Sequence, residues 1–280
     1  GSSVTTINAI TVTAIGGVAE VADGNLLGSF ATTFASATGI DVYAAVTDDS
    51  NLNNSASITV LASAGTAKAG DGQVLAAAIA TNTTGIDIGR VIEDGSSVTN
   101  TGDISVTALG GMATIGDGSS LDLRPAVATA RSTAGIFAGA IKDESRLYNS
   151  GAISVLAQGG TAVAGDNARA EADAVDTYGI FIDSYFGNYI GNDSSLINTG
   201  AINVTAIGGM ATAGGGSAAN PTDAIADADV SDTAGIVVDD DIVGSLLDIR
   251  SALTGLAPAG TAAAGHYARA RPALTDHSAL

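Results

Sequence analysis

The chain has 280 residues, of which 46% are hydrophobic and only 4% aromatic, and its formal net charge is −19. Such an acidic chain is not expected to bind nucleic acid or to dock electrostatically on anionic lipid, because both need clustered basic residues. It has no cysteine, which excludes disulfides and cysteine-ligated metals. No long apolar run stands at its start, so we expect no membrane insertion.

Six copies of one repeating segment follow each other along the chain. A hydrophobic residue opens each copy, Ile or Leu follows six residues later, and a glycine comes seven residues after that. The three columns are Val4, Leu52, Val98, Leu147, Leu196 and Leu247; Ile10, Ile58, Ile104, Ile153, Ile202 and Leu253; and Gly17, Gly65, Gly111, Gly160, Gly209 and Gly260. We therefore predict one domain, 1–280, built of repeats 1–50, 51–95, 96–144, 145–193, 194–244 and 245–280.

Each copy reads as a series of short strands. Ile104, Val106 and Ala108 alternate with more polar residues, a period of two that predicts a strand. A glycine doublet ends this strand, and a second short alternating run follows. The Ala-rich second half ends in a Gly–Ile pair, followed by another strand and an acidic turn. The pairs are Gly39–Ile40, Gly85–Ile86, Gly135–Ile136, Gly179–Ile180 and Gly235–Ile236.

The length of the repeat, about 48 residues, is long for one coil of a typical solenoid and suits two. The expected fold is therefore all-β, a single parallel β-solenoid (right-handed β-helix) with about 24 residues per coil and two coils per repeat. The small apolar residues suit its narrow interior.

Two polar columns accompany the repeat. The first holds Asn54, Asn100, Asn149 and Asn198, with Thr6 and Ile249 in the end copies. These amides could form a structural ladder along the stack or a local turn in each copy. The second holds Asp23, Asp71, Asp117 and Asp166. Each of these could join a local Ca²⁺ site through backbone oxygens, or be a solvated turn residue. We expect no other cofactor.

Certain segments resemble a known group. NTGDISVTALGG (100–111), NSGAISVLAQGG (149–160) and NTGAINVTAIGG (198–209) alternate with TAGI segments. They resemble the right-handed β-helix passenger regions of bacterial autotransporters and related large surface adhesins, over nearly the whole chain. The resemblance implies an exported protein that is extracellular or on the bacterial cell surface, where such passengers bind cells or build biofilm. The opening GSSV recurs at 95–98, so we expect a mature or excised segment.

The fourth copy holds five of the eleven aromatic residues, in TYGIFIDSYFGNYIGND (177–193). Aromatic faces beside carboxylates and amides can hold sugar rings or another protein. The predicted contact residues are Tyr178, Phe181, Asp183, Tyr185, Phe186 and Tyr189. A local mini-core under a longer loop is the alternative. The only histidines are His266 and His277, and no Gly-x-Ser-x-Gly elbow is present, so we do not expect an enzyme.

The two ends of the chain differ in charge. Glu20, Asp23 and Asp41 lie in the first copy, which has no basic residue, whereas Arg250, Arg269 and Arg271 lie in the last. Opposite charges favour head-to-tail stacking into a filament of like chains; a fragment whose neighbouring coils are missing is the alternative. The predicted function is structural and adhesive, with a cell-surface glycan or protein as partner. The competing hypothesis is a glycan-binding or glycan-cleaving protein.

Overall fold

The computed structural model of the chain describes residues 1–21, 30–71, 75–117, 125–183, 190–215, 224–239 and 242–264, with the backbone of two further strands, Ala268–Arg271 and Leu274–Thr275. This part of the chain is all-β and contains no helix. Its strands form four parallel sheets, here named A to D in the order in which each repeat enters them.

The first three sheets each take one strand from every repeat. Sheet A contains Ser3–Thr6, Asn51–Asn54, Ser97–Asn100, Arg146–Asn149, Ser195–Asn198 and Leu246–Ile249. Sheet B contains Ile10–Ile15, Ile58–Ser63, Ile104–Leu109, Ile153–Gln158, Ile202–Ile207 and Leu253–Leu256. Sheet C contains Val18–Val21, Thr66–Ala69, Met112–Ile115, Thr161–Ala164, Met210–Ala213 and Thr261–Ala264.

Sheet D takes the second half of each repeat. Its twelve strands are Phe30–Val42, Leu75–Ile92, Pro125–Val127, Ala130–Ile141, Arg169–Glu171, Ala174–Ile182, Ile190–Gly191, Ala224–Asp227, Val230–Val238, Ile242–Val243, Ala268–Arg271 and Leu274–Thr275. A residue in the left-handed region bends this sheet in four successive repeats, at Asn82, Ser132, Asp176 and Asp232.

Each strand pairs with its own counterpart one whole repeat away. Ile58 of sheet B is the partner of Ile10 on one side and of Ile104 on the other. All four sheets keep this frame from the first repeat to the last. The repeats therefore stack directly on one another, at the spacing of about 4.8 Å that separates paired strands.

The predicted fold class is wrong. A single solenoid with two short coils per repeat requires each segment to pair with one that lies half a repeat away along the chain. The observed partners are one full repeat apart, and the strands form four separate parallel sheets, of which sheet D is by far the largest. The physical reason is that the two halves of a repeat are not equivalent. The first half provides the strands of sheets A to C, and the second half provides sheet D.

The core lies between sheet D and the other sheets and is built of small side chains. In the third repeat Ile104, Val106 and Ala108 are buried, and so are Ile136 and Ala138 of sheet D. Sheets B and D approach so closely that a Cβ added to the glycine of a Gly–Ile pair would lie under 3.0 Å from an isoleucine of sheet B in the next repeat. Gly135, for example, faces Ile153 Cγ2 in this way.

Candidate functional site

The asparagine column forms a continuous buried row. The side-chain Nδ2 of Asn54 donates to Oδ1 of Asn100, and the same 2.7 Å bond joins Asn100 to Asn149 and Asn149 to Asn198. Each amide also donates to the carbonyl oxygen two residues later, at 2.8–2.9 Å. Thus the row makes both the inter-repeat bond and the local bond that the sequence left open. Because all four side chains are buried, these bonds replace hydration that the fold removes.

A second row, of serines, was not predicted. The backbone N–H of Ser50 donates to Oγ of Ser96 at 3.0 Å, that of Ser96 to Ser145 at 3.1 Å, and that of Ser145 to Ser194 at 3.2 Å. The signal was present in the sequence, because a serine stands two residues before the opening hydrophobic residue in all six copies. Like the asparagines, these serines fasten successive repeats.

The aspartate column proposed for Ca²⁺ also joins repeats. Oδ1 of Asp71 accepts the backbone N–H of Asp117 at 3.0 Å, and Oδ1 of Asp117 accepts that of Asp166 at 2.9 Å. Asp166 in turn accepts the N–H of Gly215 at 2.6 Å. Asp23 lies outside the described residues. Within those residues no group of three acidic or histidine side chains is arranged to hold a metal ion. These carboxylates therefore serve as acceptors for the backbone of the next repeat.

A groove on sheet D, with a volume of about 380 Å³, gathers side chains from three successive repeats. Its lining residues are Asn82, Thr84 and Asp87 of the second repeat, Ser132, Ala134 and Phe137 of the third, and Asp176, Tyr178, Phe181 and Asp183 of the fourth. The rings of Tyr178 and Phe181 are stacked with centroids 4.6 Å apart, and Phe137 is tilted against Phe181 at 5.7 Å. The groove thus has an aromatic centre and acidic margins.

Burial shifts the titration of the groove. It raises the pKa of Asp87 from 3.8 to about 6, and the neighbouring charge of Asp41 raises it further in the same direction. Burial also raises the pKa of Asp176, with a contribution from the charge of Asp232. The pKa of Tyr178 is raised by burial and by Asp176, so its hydroxyl stays protonated at neutral pH.

Of the six predicted contact residues, the structure brings Tyr178, Phe181 and Asp183 into this groove. Tyr185, Phe186 and Tyr189 lie outside the described residues. Phe137 and Asp87 were missed, although they occupy one row of sheet D with Phe181: Asp41, Asp87, Phe137, Phe181 and Val237 are successive partners. The row becomes visible only when the repeats are aligned on sheet D.

The two ends of the stack expose apolar surface. Apart from Met112 and Met210, the large hydrophobic side chains exposed in the described residues belong to the segments 4–43 and 242–256. Ile10 and Leu253 are partly exposed, whereas their counterparts in the four inner repeats are buried. The only difference is that no further repeat covers them. Each end also presents strand edges without a partner on one side.

The charged residues predicted for end-to-end contact lie at the two ends, and the described ones have partners within the chain. Glu20 forms an ion pair with Lys68 at 3.0 Å, and Arg250 one with Asp248 at 2.6 Å. Asp41 stands beside Asp87 in the sheet D row. Arg269 and Arg271 lie in the last strand of sheet D, beside Ile225 and Asp227 in register.

No protein-family description, no curated protein and no solved structure matches this chain significantly. In the part of the chain that is described, no helix has the length and apolar character needed to cross a membrane.

Proposed function

We propose that the chain is a non-enzymatic structural and adhesive element of an extracellular bacterial surface, and that copies of it assemble head to tail into a filament. The observation that supports this most is the pair of open ends, where exposed apolar side chains and unpaired strand edges coincide. Exposed edges of this kind favour pairing with another chain. The sequence resemblance to surface passengers supports the location.

The two ends are complementary because every repeat uses the same frame. Within the chain each repeat covers the previous one with matched partners, from Val4 on Leu52 to Leu196 on Leu247. If the sixth repeat of one chain lies on the first of the next, the same frame pairs Leu247 with Val4, Leu253 with Ile10 and Gly260 with Gly17. Such a contact does not close on itself, so it propagates into an open filament.

The glycine column supplies a test of this contact. A Cβ added to Gly65, Gly111, Gly160, Gly209 or Gly260 would lie under 3.0 Å from the carbonyl oxygen of the corresponding glycine in the preceding repeat. At Gly17 nothing lies within 4 Å, because no repeat precedes it. In a filament, the carbonyl of Gly260 from the neighbouring chain would occupy that space. Gly17→Ala should therefore leave the fold intact and block assembly.

The experiment compares the 280-residue chain, Gly17→Ala and a control, Gly255→Ala, by sedimentation velocity and negative-stain electron microscopy over a range of protein concentrations. Gly255 also has open space around it, and the column it occupies holds Val12 and Val60 in other repeats, so a methyl group fits there. We expect filaments of the parent chain and of the control, but single particles of Gly17→Ala. Single particles of the parent chain under all conditions would contradict the proposed function.

The groove favours a second candidate function, the binding of a glycan. Its three rings and its polar margin are the combination that sugar rings use, an apolar face against an aromatic ring and hydroxyls against carboxylates and amides. Retention of the protein on a glycan array, lost in Tyr178→Ala, tests this candidate; retention that is unchanged in Tyr178→Ala would remove the groove from consideration.

A further inference from the structure

The charge of the groove indicates what kind of ligand it takes. Asp87, Asp176 and Asp183 contribute three carboxyl groups, and none of the ten lining residues is Lys or Arg. The chain as a whole carries a net charge of −19. A neutral ligand would leave these carboxyl groups facing each other across the groove, whereas a positively charged one would be attracted by all three.

One carboxylate oxygen of the groove lacks a partner. Oδ1 of Asp87 is buried and has no hydrogen-bond partner among the described residues. Buried polar atoms are almost always hydrogen-bonded, so an unsatisfied acceptor in the wall of a cavity indicates a site for a donor from a ligand. An ammonium group supplies such a donor together with the opposite charge.

The rings beside Asp87 add a second attraction for the same kind of group. Phe137 is the direct neighbour of Asp87 in the sheet D row, and Phe181 follows Phe137. Aromatic faces attract cations and also pack against the apolar face of a sugar ring. The three repeats that line the groove span two strand spacings, about 10 Å, which is about the length of two linked sugar rings.

We propose that the groove binds a glycan containing an amino sugar with a free ammonium group, with the ammonium at Asp87 and the sugar ring on Phe137 and Phe181. This inference rests on the second candidate function, glycan binding, and specifies its chemistry. It does not depend on filament assembly. Neutral glycans, including those whose amino groups are acetylated, lack the charge that the acidic margin selects.

The test uses two probes that differ only in this charge: the β-1,4-linked trisaccharide of glucosamine and its fully N-acetylated form. Isothermal titration calorimetry at neutral pH and physiological ionic strength measures both. We expect the free amine to bind at least ten times more tightly than the acetylated form. Equal affinity, or tighter binding of the acetylated form, would overturn the charge assignment while leaving glycan binding in place. Binding of neither probe would overturn the proposal and count against the groove as a glycan site.

Variants separate the groove from the general negative charge of the protein. Asp87→Asn removes the charge without changing the shape, and we expect it to weaken binding of the free amine about tenfold. Phe181→Leu keeps an apolar side chain but removes the ring, and should weaken it to a similar extent. The matched control is Glu144→Gln, which removes one exposed charge outside the groove. Equal effects of Asp87→Asn and Glu144→Gln would show that the amine binds the acidic surface at large, and would overturn the proposal.

Discussion

The glycine column makes the sharpest prediction about stability. In Gly160→Ala the new Cβ would lie under 3.0 Å from the carbonyl oxygen of Gly111, which belongs to the backbone of the preceding repeat and cannot move aside by rotating a side chain. That same carbonyl accepts the N–H of Thr161 at 2.9 Å. The substitution therefore forces the two repeats apart at a point where they are hydrogen-bonded.

The cost can be built from two parts. Overpacking of a close contact costs about 1–3 kcal/mol. Loss of a buried backbone hydrogen bond that leaves the acceptor unsatisfied costs about 1–3 kcal/mol more. We therefore expect Gly160→Ala to lower the free energy of unfolding by about 2–5 kcal/mol. In Gly17→Ala the methyl group meets no atom within 4 Å, so only the reduced entropy of the unfolded chain acts, with a gain of at most about 1 kcal/mol.

Urea-induced unfolding followed by circular dichroism measures both variants against the parent chain, at a protein concentration where all three are single particles. Stacked repeats do not always unfold in one step, so the midpoint of the first transition is compared. A large drop for Gly160→Ala beside an unchanged or higher midpoint for Gly17→Ala is expected. Equal shifts in the two variants would refute the claim that contact with the preceding repeat makes this position a glycine.

Three further predictions follow from the side-chain rows and the buried carboxyl groups. Asn149→Ala should lower the free energy of unfolding by about 2–5 kcal/mol, measured by urea titration, because it leaves a buried donor and a buried acceptor unpaired in the neighbouring repeats. Ser145→Ala should cost about 1–3 kcal/mol in the same assay, because the buried N–H of the preceding serine loses its acceptor. Burial raises the pKa of Asp87 and Asp173 to about 6, so the folded chain binds more protons than the unfolded one between pH 4 and 6. Stability should thus fall as the pH rises from 5 to 7.5, by about 1 kcal/mol per group after allowing for water near both carboxyl groups; Asp87→Asn should reduce this fall, and a pH-independent midpoint would contradict it.

The first half of each repeat was predictable because its period is strict. The alternation at Ile104, Val106 and Ala108 predicted a strand with these residues buried, and both features are observed. The glycine doublets mark the passage from sheet B to sheet C, as expected of residues that permit a tight corner. Period-two patterns and close backbone contacts are local, so a single sequence with internal repeats reveals them.

The number of coils per repeat was not predictable in the same way. The length of one repeat fits two short turns or one long one, and only the hydrogen-bond partners decide between them. The evidence in the sequence was indirect: the invariant glycine column has no counterpart half a repeat later. Gly135 shows the reason, since it lies against Ile153 across the core and so belongs to a different sheet from the glycine column.

The groove was only half predictable because it is assembled across repeats. Tyr178, Phe181 and Asp183 were found as a cluster along the chain. Phe137 and Asp87 are isolated in their own repeats and reach the groove only through the pairing of sheet D. The serine row escaped notice for a different reason: serine two residues before a strand resembles an ordinary turn residue, and its role depends on the repeat above it.

An intermolecular disulfide would test the central claim, that the two ends of the chain pair in the frame of the repeats. The natural chain has no cysteine, so Thr5→Cys with Asp248→Cys introduces the only two thiols. Thr5 and Asp248 belong to the same row of sheet A, five strand spacings apart, about 24 Å, which is too far for a bond within one chain. In a filament they become neighbours. We predict that mild oxidation links this variant into a ladder of covalent multimers on a denaturing gel, whereas Thr11→Cys with Asp248→Cys, which places the thiols in different sheets, gives none. The absence of a ladder in the first variant, or equal ladders in both, would contradict the account.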